Sequence, residues 1–317
     1  MRILVLGGTS FIGRAIVSDA LRHEAEVTLF SRGKTGTDLF PEAARLIGDR
    51  DNGDYQALER GEWDAVVDVS AYQSREVNGA MDVLGDRVGR YVFISSHAVY
   101  LRTGVAPGSD ESTPRREPLR AADQLDNETY GRCKVACEDD VVARYGDRAT
   151  IVRPGKVAGP YDPSDTVLYW VRRGARGGRV ALPGSADQPI QLIDSRDLAR
   201  LVVQLIADDR SGAFNAVGPL EPITIGGVIR TAAEIAGQDV EIVPVPADAV
   251  QGPLLLPEEE WPSRQRSSAK ARSAGMPATP LPVTIADVLA WDRHRGEPPL
   301  QAGLSAEEEA ALLGRQG

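Results

Sequence analysis

The sequence predicts an α/β fold, a doubly wound parallel sheet with a smaller C-terminal α/β lobe. Three observations carry that expectation. Residues 2–6 (RILVL) form an apolar run that stops at Gly7-Gly8, as a strand covered on both faces requires. Further strand-like runs at 26–30, 45–47, 64–69, 91–94 and 149–152 alternate with helical stretches, which means βαβ units with right-handed crossovers. The unusual polar and glycine clusters all fall at the carboxyl ends of those runs, where such sheets bind ligands.

Length and composition set the outer bounds. A chain of 317 residues has room for roughly two domains at about 150 residues each. Hydrophobic and charged contents of 42% and 26% are those of an ordinary globular protein. A net charge of -10 disfavours nucleic acid as the main partner, since phosphate binding rests on Lys and Arg. No run approaches the ~18 apolar residues needed to span a bilayer, and the opening run ends at glycines too soon for a signal-peptide core. Cys133 and Cys137, the only two cysteines, stand four apart on one predicted helix, an arrangement unsuited to a disulfide. The histidines His23, His97 and His294 show no metal-ligand spacing. The expectation is a cytoplasmic protein without a metal.

Along the chain, Gly7-Gly8-Thr9-Ser10-Phe11-Ile12-Gly13 follows the first strand and opens a helix through Leu21. Glycines in that context allow a tight turn and bring backbone amides close to a pyrophosphate. The middle position of a G-x-x-G-x-x-G pattern is Ser10 here. The second strand ends at Ser31-Arg32-Gly33-Lys34 with no carboxylate to hold a ribose 2′-hydroxyl. Two cations suit a 2′-phosphate, so NADP(H) is favoured over NAD(H); the other reading of Arg32 and Lys34 is solvated loop charge. Asp49-Arg50, Ser70-Ala71 and Ser95-Ser96 close the third, fourth and fifth strands. A Pro- and charge-rich loop spans 101–126 and leads into a helix at about 127–145.

That helix carries Tyr130 and Lys134. Residues i and i+4 share a helix face, and a neighbouring cation favours ionisation of a phenol whose ordinary pKa is about 10. The pair therefore suits general acid/base work. After a sixth strand and Arg153-Pro154-Gly155 come a helix around 164–176 with Trp170 and several arginines, a helix at 195–207, and a strand–helix–strand over 213–245. Residues 251–282 are proline-rich and read as a surface wrap, and Ser305-Ala306-Glu307-Glu308 signals a capped helix. The expected division is a cofactor domain at 1–155 with 190–217 returning to it, a substrate lobe at 156–189 and 218–300, and a short helix or tail at 301–317.

Taken together, GGTSFIG, Asp49-Arg50, Ser70-Ala71, FISSHAVY, YGRCK, RPGKVAGP and QLIDSRDLA resemble the extended short-chain dehydrogenase/reductase superfamily, in an atypical branch. That superfamily holds NAD(P)-dependent epimerases and dehydratases. The resemblance implies a Rossmann-type fold, with Tyr130 as catalytic acid/base and Lys134 holding the nicotinamide ribose and lowering the Tyr130 pKa. Ser96 would hydrogen-bond the substrate oxygen. Gly7, Thr9, Ser10, Phe11, Ile12 and Gly13 would cradle the pyrophosphate, Asp49 and Arg50 would flank the adenine, and Ser70 and Ala71 the middle of the cofactor. Pro154 would meet the nicotinamide end.

On the substrate side, His97, Lys156 and Tyr161 are candidates, with Trp170 and Arg196 as further lining. Lys156 and Ile190 stand where sugar epimerases often have asparagine and arginine, which weakens a nucleotide-sugar assignment. The resemblance further implies a homodimer through the 74–86 and 127–145 helices. The expected activity is hydride transfer to or from a small-molecule carbonyl or alcohol. The alternatives are an NAD-dependent sugar epimerase and a non-enzymatic nucleotide sensor or RNA-binding relative of chloroplast stem-loop proteins.

Overall fold

The computed structural model describes residues 1–247 and 252–314. The chain opens with β1 (Arg2–Leu6), α1 (Phe11–Arg22), β2 (Glu26–Ser31), β3 (Ala44–Ile47) and β4 (Trp63–Asp68). It continues through α2 (Ser74–Leu84), β5 (Val88–Ile94), α3 (Thr129–Tyr145) and β6 (Ala149–Pro154). Next come β7 (Lys156–Ala158), α4 (Thr166–Arg176), β8 (Gly178–Pro183), β9 (Pro189–Ile190) and β10 (Leu192–Asp194). The remainder comprises α5 (Ser195–Ala207), β11 (Gly212–Ala216), β12 (Ile223–Thr224), α6 (Ile225–Ile235), β13 (Val240–Val245), α7 (Ala269–Ser273), α8 (Leu281–His294) and α9 (Ala306–Gly314).

Seven strands form a parallel sheet in the order β11-β6-β5-β4-β1-β2-β3. The strand order reverses at β1 and β4, the topological switch point where open α/β sheets bind ligands. Ile3, Leu4, Val5 and Leu6 of β1 are fully buried, consistent with a central strand covered on both faces. Helix α1 packs on α5, and α2 packs on α3. One core cluster joins Leu4 and Leu6 to Val77, Met81, Cys137, Val141 and Tyr145, which belong to α2 and α3. Burying each such aliphatic side chain contributes about 1.5–3 kcal/mol. No described helix is long and apolar enough to cross a membrane.

The chain divides into two compact units. The first comprises 1–155, 195–217 and 266–277; the second comprises 156–194, 218–265 and 278–317. Two boundaries differ from expectation. Residues 190–194 stay in the second unit, because β10 pairs with β7 there. Residues 266–277 join the first, tied by Ser267 N donating to Ser109 O at 2.9 Å and Lys270 Nζ donating to Ala213 O at 2.7 Å.

The second unit has its own core, built from α4, α6, α8 and β8 around the fully buried Trp170. Trp170 Nε1 donates to Pro253 O at 2.7 Å, so its side chain is a core element and not the cleft lining expected of it. Residues 301–314 are not a loose tail. Ser305 N donates to Glu308 Oε2 at 2.8 Å and Glu308 N to Ser305 Oγ at 3.2 Å, a reciprocal cap at the start of α9. Glu309 on α9 pairs with Arg173 at 2.7 Å.

Within this unit Arg172 donates to both carboxylate oxygens of Asp292 at 2.7 and 2.6 Å, and Arg295 Nε adds a third bond at 2.9 Å. Removing one member of a buried pair strands the other charge. Asp292→Ala is therefore expected to cost about 3–5 kcal/mol in urea unfolding, against less than about 0.5 kcal/mol for an exposed control such as Glu221→Ala.

Candidate active site

The site is built on one stripe of α3. Tyr130, Lys134 and Glu138 follow at i, i+4 and i+8, so all three face the sheet edge. Lys134 is 2% exposed. Its ammonium donates to Ala71 O at 2.7 Å and Ile94 O at 2.9 Å, carbonyls just beyond β4 and at the end of β5. The Tyr72 and Phe93 rings lie 5.0 and 4.7 Å from the same nitrogen, close enough for cation–π attraction. An ammonium has three protons to give, so one remains beyond these two carbonyls.

Ser96 follows β5 and caps a 3-10 turn at His97–Val99, its Oγ accepting from Ala98 N at 3.1 Å. The same hydroxyl acts on the Tyr130 phenol from nearby and favours its ionised form. Gly131 makes this approach possible. A Cβ there would fall far inside contact distance of the Ala98 carbonyl oxygen, so any other residue would push α3 off the turn that carries Ser96.

Charge effects on the phenol differ from expectation. Burial pushes the Tyr130 phenol above the usual tyrosine range, and the nearby Ser96 hydroxyl pulls it back. Lys134 does not lower it in this structure, because its ammonium is turned to the Ala71 and Ile94 carbonyls. Burial also holds Lys134 below the usual lysine value.

At the carboxyl end of β1, Gly7 to Gly13 turns into α1. A Cβ on Gly13 would collide with the Gly7 carbonyl, so the turn is as tight as backbone allows. Ser10 is the N-cap residue, yet no side chain caps the first-turn amides and no acid lies there. Uncapped amides at a positive helix end are donors of the kind an anion accepts from, and residues 7–13 form the turn that presents them.

Beyond β2, Arg32 is 55% exposed at its side chain and lies 3.5 Å from Asp51. Exposed pairs of this kind are weak, so Arg32 can exchange its partner for a phosphate. Lys34 is exposed beside it.

The Arg50 guanidinium is spent inside the protein. Its guanidinium donates to both Asp68 oxygens at 2.6 and 2.8 Å, to Ser70 Oγ at 3.1 Å and to Glu76 O at 2.7 Å. Asp68 is fully buried and also accepts from Tyr91 Oη at 2.7 Å. The paired guanidinium holds the Asp68 carboxyl below the usual range against the effect of burial. Arg50 thus braces the end of β4, and through Ser70 it sets the floor that the cofactor would cross. Asp49 spends its carboxylate on Asp51 N at 3.1 Å and Asn52 Nδ2 at 3.0 Å, capping the turn after β3.

Ala71 contributes its carbonyl to Lys134 as above, and Pro154 ends β6 in a buried position, paired with Ala216 of β11. His97 is half-buried in its turn. Lys156 and Tyr161 belong to the second unit. Lys156 Nζ donates to Ser164 Oγ at 2.8 Å and pairs with Asp162 at 3.2 Å, while Tyr161 is 45% exposed and sits edge-on to Trp291 at 5.7 Å. Arg196 is half-buried on α5.

One neighbour of the pair escaped the sequence reading. Tyr72 is 42% exposed, with its ring 6.3 Å from that of Tyr130. The local signal was the Gln73–Glu76 capping box, which anchors Tyr72 N on Glu76 Oε2 at 2.6 Å.

A model of the NAD dependent epimerase/dehydratase family matches residues 3–217, and the chain belongs to that family. A chloroplast stem-loop binding protein of 41 kDa from Arabidopsis thaliana is 25% identical over 253 residues, covering 74% of this chain and 63% of its own length. The chain thus spans less than two thirds of that relative. dTDP-6-deoxy-L-talose 4-dehydrogenase (NAD(P)(+)) of Kitasatospora kifunensis is 28% identical over 290 residues, covering 82% of this chain and 86% of that protein. Among solved structures, UDP-glucose 4-epimerase of Thermotoga maritima superposes with a TM-score of 0.71 at 19% identity, covering 94% of this chain and all of that one (100%). UDP-glucuronic acid 4-epimerase of Bacillus cereus, in complex with NAD, gives 0.72 at 16% identity, covering 94% and 99%. Both show the fold alone.

Two outcomes test the site's construction. Gly131→Ala should keep the circular dichroism of a folded α/β protein while losing at least about tenfold in turnover, the loss expected when the Ser96 turn is pushed away from the reacting group. Burial pushes the Cys137 thiol up to about 12 and raises Cys133. Thiolates are the reactive form, so a thiol reagent at pH 8 should label neither cysteine in the native protein and both after denaturation.

Proposed function

We propose that the protein is an NADP(H)-dependent oxidoreductase that transfers hydride to or from a small-molecule carbonyl or alcohol. The observation that carries this reading is the buried Lys134 ammonium one turn past Tyr130 on α3, with the turn that Ser96 caps packed against Gly131 between them. A nicotinamide cofactor bound here would supply or take the hydride. In reduction, Tyr130 gives its phenolic proton to the carbonyl oxygen, and the Ser96 hydroxyl polarises the same oxygen. The elevated phenol is fully protonated at neutral pH, so the resting protein is poised as the acid. The third proton of Lys134 faces no carbonyl and suits a ribose hydroxyl.

Gly7, Thr9, Ser10, Phe11, Ile12 and Gly13 hold the pyrophosphate, and Ser70, Ala71 and Pro154 line its path. Arg32 and Lys34 select the 2′-phosphate, Arg32 by leaving Asp51. His97, Lys156 and Tyr161 contact the substrate. Epimerisation begins with the same hydride step, which is why an NAD-dependent sugar epimerase is the neighbouring reading. Retention of both Tyr130 and Lys134, with a net charge of -10, favours chemistry over RNA binding.

Tyr130→Phe should lower turnover by about 10²–10⁴ while leaving NADPH binding, followed by tryptophan quenching, nearly unchanged; retained turnover sinks the assignment. In the same titration NADPH should bind more tightly than NADH, and Arg32→Ala should narrow the difference. NADH binding as tight as NADPH would shift the reading to the epimerase. Screening would begin with dTDP-6-deoxy-L-talose and UDP-glucose, the molecules named by two of the relatives.

A further inference from the structure

Glu138 lies one turn past Lys134 on the α3 stripe and is 1% exposed. A buried carboxylate is costly unless every lone pair is met, and this one is met four times. Oε1 accepts from Ser95 Oγ at 2.6 Å and Arg153 Nε at 2.9 Å. Oε2 accepts from Arg153 Nη2 at 2.7 Å and Arg115 Nη1 at 2.9 Å. The donors come from three places: the segment after β5, strand β6 and the long loop before α3.

Arg153 is fixed in turn, since its Nη1 donates to Tyr100 Oη at 2.7 Å and that phenol donates to Asn215 Oδ1 at 2.7 Å. The carboxylate therefore has one available position. Ser95 is held by its main chain as well, its amide donating to Val152 O at 2.8 Å. The next residue is Ser96.

We propose that Glu138 is a positioning residue: by clamping Ser95 to α3, it holds the Ser96 hydroxyl at the Tyr130 phenol. The inference rests on Tyr130 and Ser96 acting together, as proposed above. Its physical basis is a short lever. Tyr130 and Glu138 are on one rigid helix, Ser95 and Ser96 are adjacent on one chain, and a 2.6 Å bond closes the loop. Without it, the turn keeps the Gly131 contact, its main-chain pairing, the Ser96 cap on Ala98 N and the bonds at Tyr100, none of which ties Ser95 to α3.

Glu138→Gln would leave two arginines facing a neutral amide and risks misfolding. Ser95→Ala is the cleaner probe, because it removes one hydroxyl and leaves the Glu138–Arg153–Arg115 cluster whole. The experiment is a crystal structure of Ser95→Ala beside the wild type, with turnover of the best substrate from the screen in wild type, Ser95→Ala, Ser96→Ala and the double variant. The expected structure has Ser96 Oγ displaced away from Tyr130 Oη relative to the wild type, with the melting temperature close to that of wild type.

In turnover, Ser95→Ala should lose about tenfold in kcat, one hydrogen bond's worth, with KM for NADPH unchanged. In the Ser96→Ala background it should lose nothing more, as residues acting through one interaction are non-additive. A Ser95→Ala structure with Ser96 Oγ at its wild-type distance from Tyr130 Oη overturns the proposal, and so do penalties that add in the double variant. If instead Tyr130→Phe is active, the catalytic reading fails, while the crystallographic distance still judges the clamp on its own.

Discussion

The Lys134 ammonium is the interaction on which the site depends. A buried cation without partners would be expelled or neutralised. Here it is retained because the carbonyls of Ala71 and Ile94 converge on it from the ends of two adjacent strands. Ala71 lies beyond the end of β4, and Ile94 is the last residue of β5. Lysine therefore meets two acceptors at the sheet edge and, in the same act, pins α3 to it. Tyr130, one turn earlier on the helix, is delivered to the carboxyl edge by that anchor.

Two more constraints share the same edge. Arg50 and Asp68 lock the end of β4 through a bidentate pair, and Glu138 with Arg153 locks the ends of β5 and β6 against α3. Charge-assisted, geometrically matched bonds of this type gain orientation as much as energy. The ends of β4, β5 and β6 are thus braced by buried ion pairs, while no side chain caps the first turn of α1. The strongly bonded groups are structural, and the groups left for ligands are the phenol, two serines, exposed cations and main-chain N–H.

The sheet was legible because its rules are local. Residues 2–6, 26–30 and 64–69 announce buried strands, and GGTSFIG announces the turn that α1 requires. Tyr130, Lys134 and Ser96 were legible by spacing and resemblance. The partners of the Arg50 guanidinium were not legible, because Asp68 lies 18 residues away, at a separation no periodicity encodes; an Asp-Arg pair at a strand end looks the same whether it faces a ligand or the interior. Helix α8 was masked by prolines. Pro280 is its N-cap residue and proline stands at its first positions, where proline starts helices, yet the surrounding proline-rich stretch read as a surface wrap. Gly131 was visible only as the spacer in Tyr-x-x-x-Lys, since its purpose appears once the Ala98 carbonyl is seen above it. Trp170 looked like a cleft residue because the partners that bury it come from residues 180–289.

The central claim is that this edge moves a hydride with Tyr130 serving the proton. The most direct measurement uses NADPH deuterated at nicotinamide C4, incubated with the protein and a panel of sugar-nucleotide and simple carbonyl acceptors, with products read by mass spectrometry. The account predicts one deuterium on the reduced carbon of an acceptor. Product formed without that deuterium, or no labelled product from any acceptor despite tight NADPH binding, would contradict it.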